Sequence, residues 1–138
     1  MTGARRIRPR LKSPLVSAFA ELPDVAPQGI WDGVAVRAVY GDRITLGVVE
    51  LEANSAVPEH SHDNEQLGIV LRGSVRFRVG DETRELGPGG TWRIPSNAPH
   101  EVTVGPDGAV VLDVFAPGRE DWAALEPQAL RAPLWPDA

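Results

Sequence analysis

Residues 58–73 read PEHSHDNEQLGIVLRG, two histidines followed by an apolar run that a glycine closes. His60 and His62 occupy alternate positions, and alternate side chains of an extended segment share one face, so both imidazoles can bind one metal ion. The third histidine of the chain, His100, opens a later apolar run and can complete the set from another strand. This distribution favours a metal site over the alternative of histidines scattered on surface loops.

The composition indicates one compact globular domain, because 42% of the 138 residues are hydrophobic and 24% are charged. Fourteen glycines and thirteen prolines separate short apolar runs, which is typical of an all-β protein with frequent turns. The sequence has no cysteine, which excludes disulfides, thiolate metal sites and cysteine nucleophiles. Any metal must therefore be bound through nitrogen or oxygen.

The net charge of −5 conceals an asymmetry, since residues 1–12 contain five basic side chains and no acidic one. The rest of the chain is strongly acidic, which argues against a nucleic-acid partner. We interpret the basic leader as a solvated arm rather than a phosphate-binding segment. With no run long enough to span a membrane and no apolar secretory signal, we expect a cytoplasmic protein that binds no membrane.

The run lengths and turn residues predict eight β-strands after Gly29. They are Val34–Tyr40, Ile44–Leu51, Gln66–Leu71, Val75–Val79, Thr83–Leu86, Thr91–Ile94, Glu101–Val104 and Ala109–Phe115. Turns are predicted between them, including residues 72–74 and 106–108. Several runs are apolar on both faces, so we expect an antiparallel meander that forms a closed barrel or a double-sheet jelly roll.

This pattern predicts three segments along the chain. Residues 1–28 are expected to form an irregular basic arm, and residues 29–119 the β-barrel. Residues 120–138 are expected to begin with a short helix, over 120–125, and to end in an extended tail.

Two segments resemble the two sequence motifs of the cupin family, residues 58–73 the first motif and residues 89–100 the second. The 15 residues between them, 74–88, match the spacing of small cupins, and the similarity extends roughly over residues 34–121. The resemblance implies a double-stranded β-helix, which is an all-β jelly-roll barrel. It also implies one divalent transition metal ion per chain, which the donor types leave open among Ni, Mn, Fe, Co and Zn.

The chain departs from the cupin pattern at two glycine positions, which are occupied by Asn54 and Asn97. Asparagine is the residue besides glycine that best tolerates a left-handed backbone, so we expect the local geometry to survive.

The fourth metal ligand also departs from the usual cupin glutamate. The order His-x-His-x-x-Glu-Gln resembles a cupin subgroup in which a glutamine amide oxygen ligates, which favours Gln66 beside His60, His62 and His100. Glu65 is the alternative, because adjacent strand residues point to opposite faces and a slip of one residue exchanges them. Three imidazoles and an amide are neutral, so the ion keeps its full charge and favours an anionic, oxygen-rich substrate.

A second set of residues lies near the end of the last predicted strand, where Asp113, Phe115 and Arg119 follow in order. This segment resembles the Asp-x-Phe-x-x-x-Arg stretch of cupins that act in pectin degradation by promoting linearisation of unsaturated uronates. The resemblance implies catalytic roles for Asp113 and Arg119 and substrate contacts for Phe115 and Arg119. The alternative is a structural ion pair between Asp113 and Arg119 under the barrel rim.

These residues lead to a functional hypothesis, a metal-dependent lyase or isomerase acting on a small carboxylated sugar-acid-like compound. Arg119 is expected to bind the carboxylate and Asp113 to move a proton. A non-heme metal-dependent dioxygenase and a non-catalytic protein that binds a small ligand are the alternatives. We also expect a homodimer, formed through a sheet edge and the N-terminal arm.

The remaining conspicuous residues are assigned structural roles. The tryptophans, among them Trp31, Trp92 and Trp122, are interpreted as core, rim or dimer-contact aromatics. Glu50 is interpreted as an ordinary strand acid.

Overall fold

The computed structural model describes residues 17–136, which form eight β-strands, a 3-10 helix and a short α-helix. The strands are β1 (Gln28–Trp31), β2 (Val34–Tyr40), β3 (Thr45–Leu51), β4 (Ala56–His60), β5 (Glu65–Val79), β6 (Glu82–Leu86), β7 (Thr91–Ile94) and β8 (His100–Ala116). The 3-10 helix, Leu22–Asp24, precedes β1, and α1 (Glu120–Ala123) follows β8. No helix within residues 17–136 has the length and apolarity needed to cross a membrane.

All strand pairs are antiparallel, and the strand order is β1-β2-β3-β8-β5-β6, with β4 paired to β8 and β7 paired to β5. The predicted all-β jelly roll is confirmed, but the expected meander is wrong. The last strand, β8, lies between β3 and β5, because strands that are distant in the sequence become neighbours in the sheet of a jelly roll. The long pairing of β5 with β8 therefore organises the barrel.

Two of the predicted turns, residues 72–74 and 106–108, lie inside β5 and β8 instead. Gly73 and Gly108 do have a left-handed backbone, with φ of 80° and 75°. However, Gly73 is paired with Ala109 in the β5–β8 ladder, next to two register shifts, and a side chain there would collide with the backbone of Gly108. These glycines therefore bend β5 and β8 together, and neither strand reverses its direction there.

Several local predictions are confirmed and others need small corrections. Asn54 and Asn97 adopt φ of 61° and 66°, the left-handed backbone expected for them. The arm predicted over residues 1–28 falls partly outside the described residues, and its last residue already belongs to β1, which the sequence did not predict. The terminal helix stops at Ala123, two residues earlier than expected.

Alternate residues of the strands point inward and fill the barrel with apolar side chains. The buried core includes Val34, Val36, Val49, Leu51, Val57, Val70, Val75, Phe77, Trp92, Ile94, Val102, Val104, Val111, Phe115 and Trp122. Such a contiguous interior supplies most of the stability of a small domain. The polar residues of the functional site interrupt this interior on one side.

Two buried charged residues, Arg37 and Glu50, lie on the outer face of the barrel and form with the exposed Arg131 what we call the outer cluster. Arg37 is 1% exposed and donates hydrogen bonds to Glu50, at 3.4 Å, and to the backbone carbonyls of Val25 and Arg131. Glu50 also accepts hydrogen bonds from the Arg131 side chain, at 2.7 Å, and from the backbone of Leu134, at 3.0 Å. The interpretation of Glu50 as an ordinary strand acid is thus wrong, because the C-terminal tail covers it.

Candidate metal centre and its cavity

The three histidines come from three neighbouring segments of the barrel. His60 ends β4 and lies opposite His100, which opens β8, while His62 lies in the loop before β5. The ring centroids of His60 and His100 are 4.2 Å apart, and those of His62 and His100 are 4.9 Å apart. Their candidate ligand atoms all lie within 4.8 Å of one another, so the structure brings the predicted triad together.

Hydrogen bonds from the far side of each ring determine which nitrogen is free for a metal. In all three histidines Nδ1 lies 2.8–3.0 Å from a backbone carbonyl oxygen two residues away. A carbonyl oxygen only accepts, so Nδ1 carries the proton and Nε2 keeps its lone pair. This is the arrangement that orients metal-binding histidines.

One Nε2 atom gives a direct sign of a missing partner. His100 Nε2 is the only buried side-chain nitrogen or oxygen in residues 17–136 without a hydrogen bond. Such an atom destabilises a folded protein by about 1–3 kcal/mol. Burial also lowers the pKa of His100 to about 4 and lowers the pKa of His62, which keeps both imidazoles neutral. A divalent cation would satisfy this lone pair.

Gln66 adds a fourth oxygen donor beside the triad. Its Nε2 donates to Asp113 Oδ1 at 2.9 Å, and because a carboxylate only accepts, its Oε1 must be the atom that faces His62 Nε2 at 3.1 Å. Two lone pairs then point at each other, an arrangement that a cation or a proton between them makes favourable.

Glu65, the alternative to Gln66, is exposed, whereas Gln66 is 6% exposed and faces the barrel interior. The structure therefore brings Gln66 to the triad and leaves Glu65 outside. The role of Gln66 as a metal ligand stays a prediction. We call His60, His62, His100, Gln66 and Asp113 together the cavity cluster.

Asp113 lies deep in the barrel, 7% exposed, and its Oδ1 accepts hydrogen bonds from Gln66 and from Trp92 Nε1, at 2.8 Å. Its Oδ2 accepts none from the described residues. Burial raises the pKa of Asp113 to about 6, although both hydrogen bonds act in the opposite direction. Asp113 is thus a carboxyl group whose pKa lies close to neutral pH, and one of its oxygens is available to a ligand.

Trp92 is a site residue that the sequence interpretation treated only as an aromatic of the core or rim. It lies across the sheet from Asp113, with Gly68 between them on β5. A side chain at position 68 would overlap both the Trp92 indole and the Asp113 carboxylate, so the glycine is what permits their hydrogen bond. A glycine inside an apolar strand was the available signal.

Arg119 does not pair with Asp113, so the structural ion pair considered from the sequence is wrong. Its Nε and Nη2 donate to the two oxygens of Asp121, at 3.0 and 2.9 Å, because α1 begins directly after Arg119 and brings Asp121 beside it. The guanidinium also lies over the rings of Phe115 and Trp122, 4.8 and 4.2 Å from their centroids. These contacts fix Arg119 while its Nη1 donates to none of the described residues.

The triad, Gln66, Asp113, Phe115 and Arg119 all line one cavity inside the barrel. The cavity has a volume of about 90 Å³, which leaves room for several water molecules or for one end of a small ligand. Its walls are largely apolar, and the polar groups converge on one side. Such a pocket, with few polar groups and a perturbed carboxyl, is typical of a small-molecule site.

A jelly-roll barrel that gathers three histidines and an amide in its interior defines a class of metal-binding β-barrels. The family model described as "Cupin domain" matches residues 47–115, half of the chain. The chain belongs to the cupin family.

Comparison with individual proteins points in the same direction. The chain is 27% identical over 93 residues to the pectin degradation protein KdgF of Dickeya dadantii, covering 66% of this chain and 84% of that protein. The solved structure of KdgF from a Halomonas species superposes with a TM-score of 0.71 at 22% identity, over 77% of this chain and 98% of that one. An RmlC-like cupin from Shewanella frigidimarina also gives a TM-score of 0.71, at 20% identity over 76% of this chain and 95% of that one. The chain is thus a small cupin related to KdgF, and the two solved structures support the fold.

Proposed function

We propose that this cupin is a metal-dependent lyase or isomerase that acts on a small carboxylated sugar acid by linearisation or enolisation. The observation that carries the proposal is one cavity that combines four neutral metal donors, a buried carboxyl with a free oxygen, and a fixed arginine. The similarity to a protein named for pectin degradation supports a sugar acid as the substrate.

Arg119 binds the substrate carboxylate in this proposal. Asp121 occupies Nε and Nη2 from one side, so the guanidinium cannot swing away, and Nη1 remains for the substrate. The rings of Phe115 and Trp122 pack against the guanidinium. The substrate is thereby held by its carboxylate near the cavity mouth, with its other end towards the histidines.

Asp113 moves the proton. When an unsaturated uronate ring opens, Asp113 takes the proton of the hemiacetal hydroxyl, and the ring carbon–oxygen bond breaks to leave a carbonyl group and an enolate. The same proton then returns to the enolate carbon, so substrate and product are isomers and no co-reactant is consumed. A divalent ion on His60, His62, His100 and Gln66 supplies Lewis acidity to a substrate oxygen when bound.

The test is turnover of a panel of unsaturated uronates by protein that has been stripped of metal and reloaded with zinc under anaerobic conditions. We expect the absorbance of the conjugated double bond to disappear at a rate that depends on zinc. Turnover that requires both iron and dioxygen would instead establish the dioxygenase alternative. Binding of uronates without turnover under any metal would establish a ligand-binding protein.

A further inference from the structure

The proposed function gives no role to Trp31, the last residue of β1. Trp31 lines the same cavity as the triad, and its ring centroid lies 5.4 Å from that of His60, with the two ring planes at 54°. It is 40% exposed, whereas the other cavity tryptophans, Trp92 and Trp122, are 8% and 7% exposed. Its indole N–H donates to none of the described residues. Trp31 is therefore an aromatic wall at the mouth of the cavity and is not packed in the core.

A β-bulge aims this side chain inward. Gly29 lies opposite Ala35, but Trp31 lies opposite Val34, so β1 carries one extra residue, Ile30, at this point. Residues directly opposite in an antiparallel pair share a face, and Val34 is buried on the inner face. Regular alternation from Gly29 would instead place residue 31 outside the barrel. Bulges of this kind re-aim side chains beside functional sites.

The space in the cavity is small compared with the pockets of about 300–1,000 Å³ that enclose whole small ligands. With about 90 Å³ open inside, the reacting end enters the barrel while the rest of the molecule stays at the mouth, where Trp31 stands. One face of a sugar ring is a rigid array of C–H bonds, which carry partial positive charge and pack on the negative face of an aromatic ring. An open-chain sugar acid has no such rigid face.

We propose that Trp31 is a specificity residue that packs against the ring of a cyclic sugar acid and selects it over open-chain sugar acids of the same carbon number and charge. This inference rests on the proposed function and identifies the form of the substrate. It also accounts for product release, since opening the ring removes the surface that Trp31 holds. The ring substrate is thus bound at three places: its face contacts Trp31, its carboxylate contacts Arg119 and its oxygens lie at the candidate metal centre.

The test is calorimetric binding to zinc-loaded protein of two probes, D-galacturonate, which is mainly a ring in solution, and D-galactonate, which is an open chain. Trp31→Ala is expected to weaken galacturonate binding roughly 3- to 10-fold and galactonate binding less than about 2-fold. Trp31→Phe should restore most of the preference. Phe19→Ala is the matched control, because Phe19 is 88% exposed and does not line the cavity. Zinc content is measured for every variant.

Three results would overturn the proposal. Equal weakening of both probes, or loss of zinc from Trp31→Ala, would mean that Trp31 supports His60 and not the ligand. Unchanged galacturonate binding in Trp31→Ala would mean that the indole contributes nothing. If the wild-type protein binds neither probe, or does not prefer galacturonate, the mouth of the cavity does not select cyclic sugar acids. A ring preference without turnover would sink the proposed reaction alone, and turnover with no loss of preference in Trp31→Ala would sink this inference alone.

Discussion

The outer cluster and the cavity cluster each contain buried polar side chains, but their hydrogen bonding differs. In the outer cluster each nitrogen of Arg37 has an acceptor and each oxygen of Glu50 has at least one donor. In the cavity cluster His100 Nε2 has no hydrogen-bond partner among residues 17–136, and Asp113 forms its two hydrogen bonds through Oδ1. The first arrangement is satisfied by the protein itself, whereas in the second a bound ion, a ligand or water must supply the remaining partners.

This difference separates a structural role from a functional one without reference to any relative. A satisfied buried network stabilises the fold and fixes one arrangement, and it loses heavily when one partner is removed. An unsatisfied network costs stability, which is commonly tolerated where a protein binds or reacts. Substitutions in the two clusters should therefore have opposite signatures.

The largest expected effect is on catalysis, from Asp113→Asn. An asparagine oxygen can still accept from Trp92 and Gln66, so the melting temperature and metal content should hardly change. The base is lost, and turnover should fall about 10²–10⁴-fold. Steady-state kinetics on whichever uronate is turned over, with thermal unfolding of the same samples, checks both. A variant that is unstable but fully active would remove Asp113 from the catalytic residues.

The next largest effect is on stability, from the outer cluster. Arg37→Met leaves the carbonyl oxygens of Val25 and Arg131 without their donor, while Glu50 keeps the Arg131 side chain, so the free energy of unfolding should fall by about 1–3 kcal/mol. Urea unfolding measures this, and the metal content of the folded variant should equal that of the wild type. If Arg37→Met leaves the free energy of unfolding unchanged, the outer cluster is not the structural element inferred here.

The pH dependence of stability tests the role of Glu50. Although burial alone would raise its pKa, hydrogen bonds from Leu134 and Arg131 hold the pKa of Glu50 below its ordinary 4.5. A carboxyl whose folded-state pKa is lowered stabilises the fold above its unfolded-state pKa, and this contribution disappears as pH falls through the folded-state value. Below pH 4.5 the wild type should therefore lose stability more steeply than Glu50→Gln, as measured by urea unfolding. Parallel curves would contradict this.

The smallest effect is expected from Asp121, which positions Arg119. Asp121→Asn removes the charge that holds Nε and Nη2, and the Michaelis constant should rise roughly 3- to 10-fold with little change in turnover. Asp81→Asn, in an exposed turn, is the matched control. If turnover falls and the Michaelis constant stays the same, Asp121 acts in the reaction by another route.

The sequence could predict what depends on local order. The bounds of β2 and β7 and the left-handed backbone at Asn54 follow from alternation and residue type, and the closeness of His60 and His62 follows from their spacing. These features need no knowledge of distant contacts.

The features that the sequence could not predict depend on distant segments. Glu50 is buried only because the C-terminal tail crosses it, and Arg119 finds Asp121 only because α1 turns back beside it. Trp31 faces inward only because of a bulge in a strand that the pattern did not reveal. Gly73 supports a turn or a bend equally well, and the pairing of β5 with β8 decides between them.

The most direct measurement is the metal content of purified, untagged protein and of variants in the triad. The wild type should hold one divalent ion per chain, His60→Ala and His100→Ala should lose it, and Gln66→Ala should bind it more weakly. The double variant His60→Ala, His62→Ala should be metal-free and still folded. A double variant that retains one ion per chain would contradict the assignment of the metal centre.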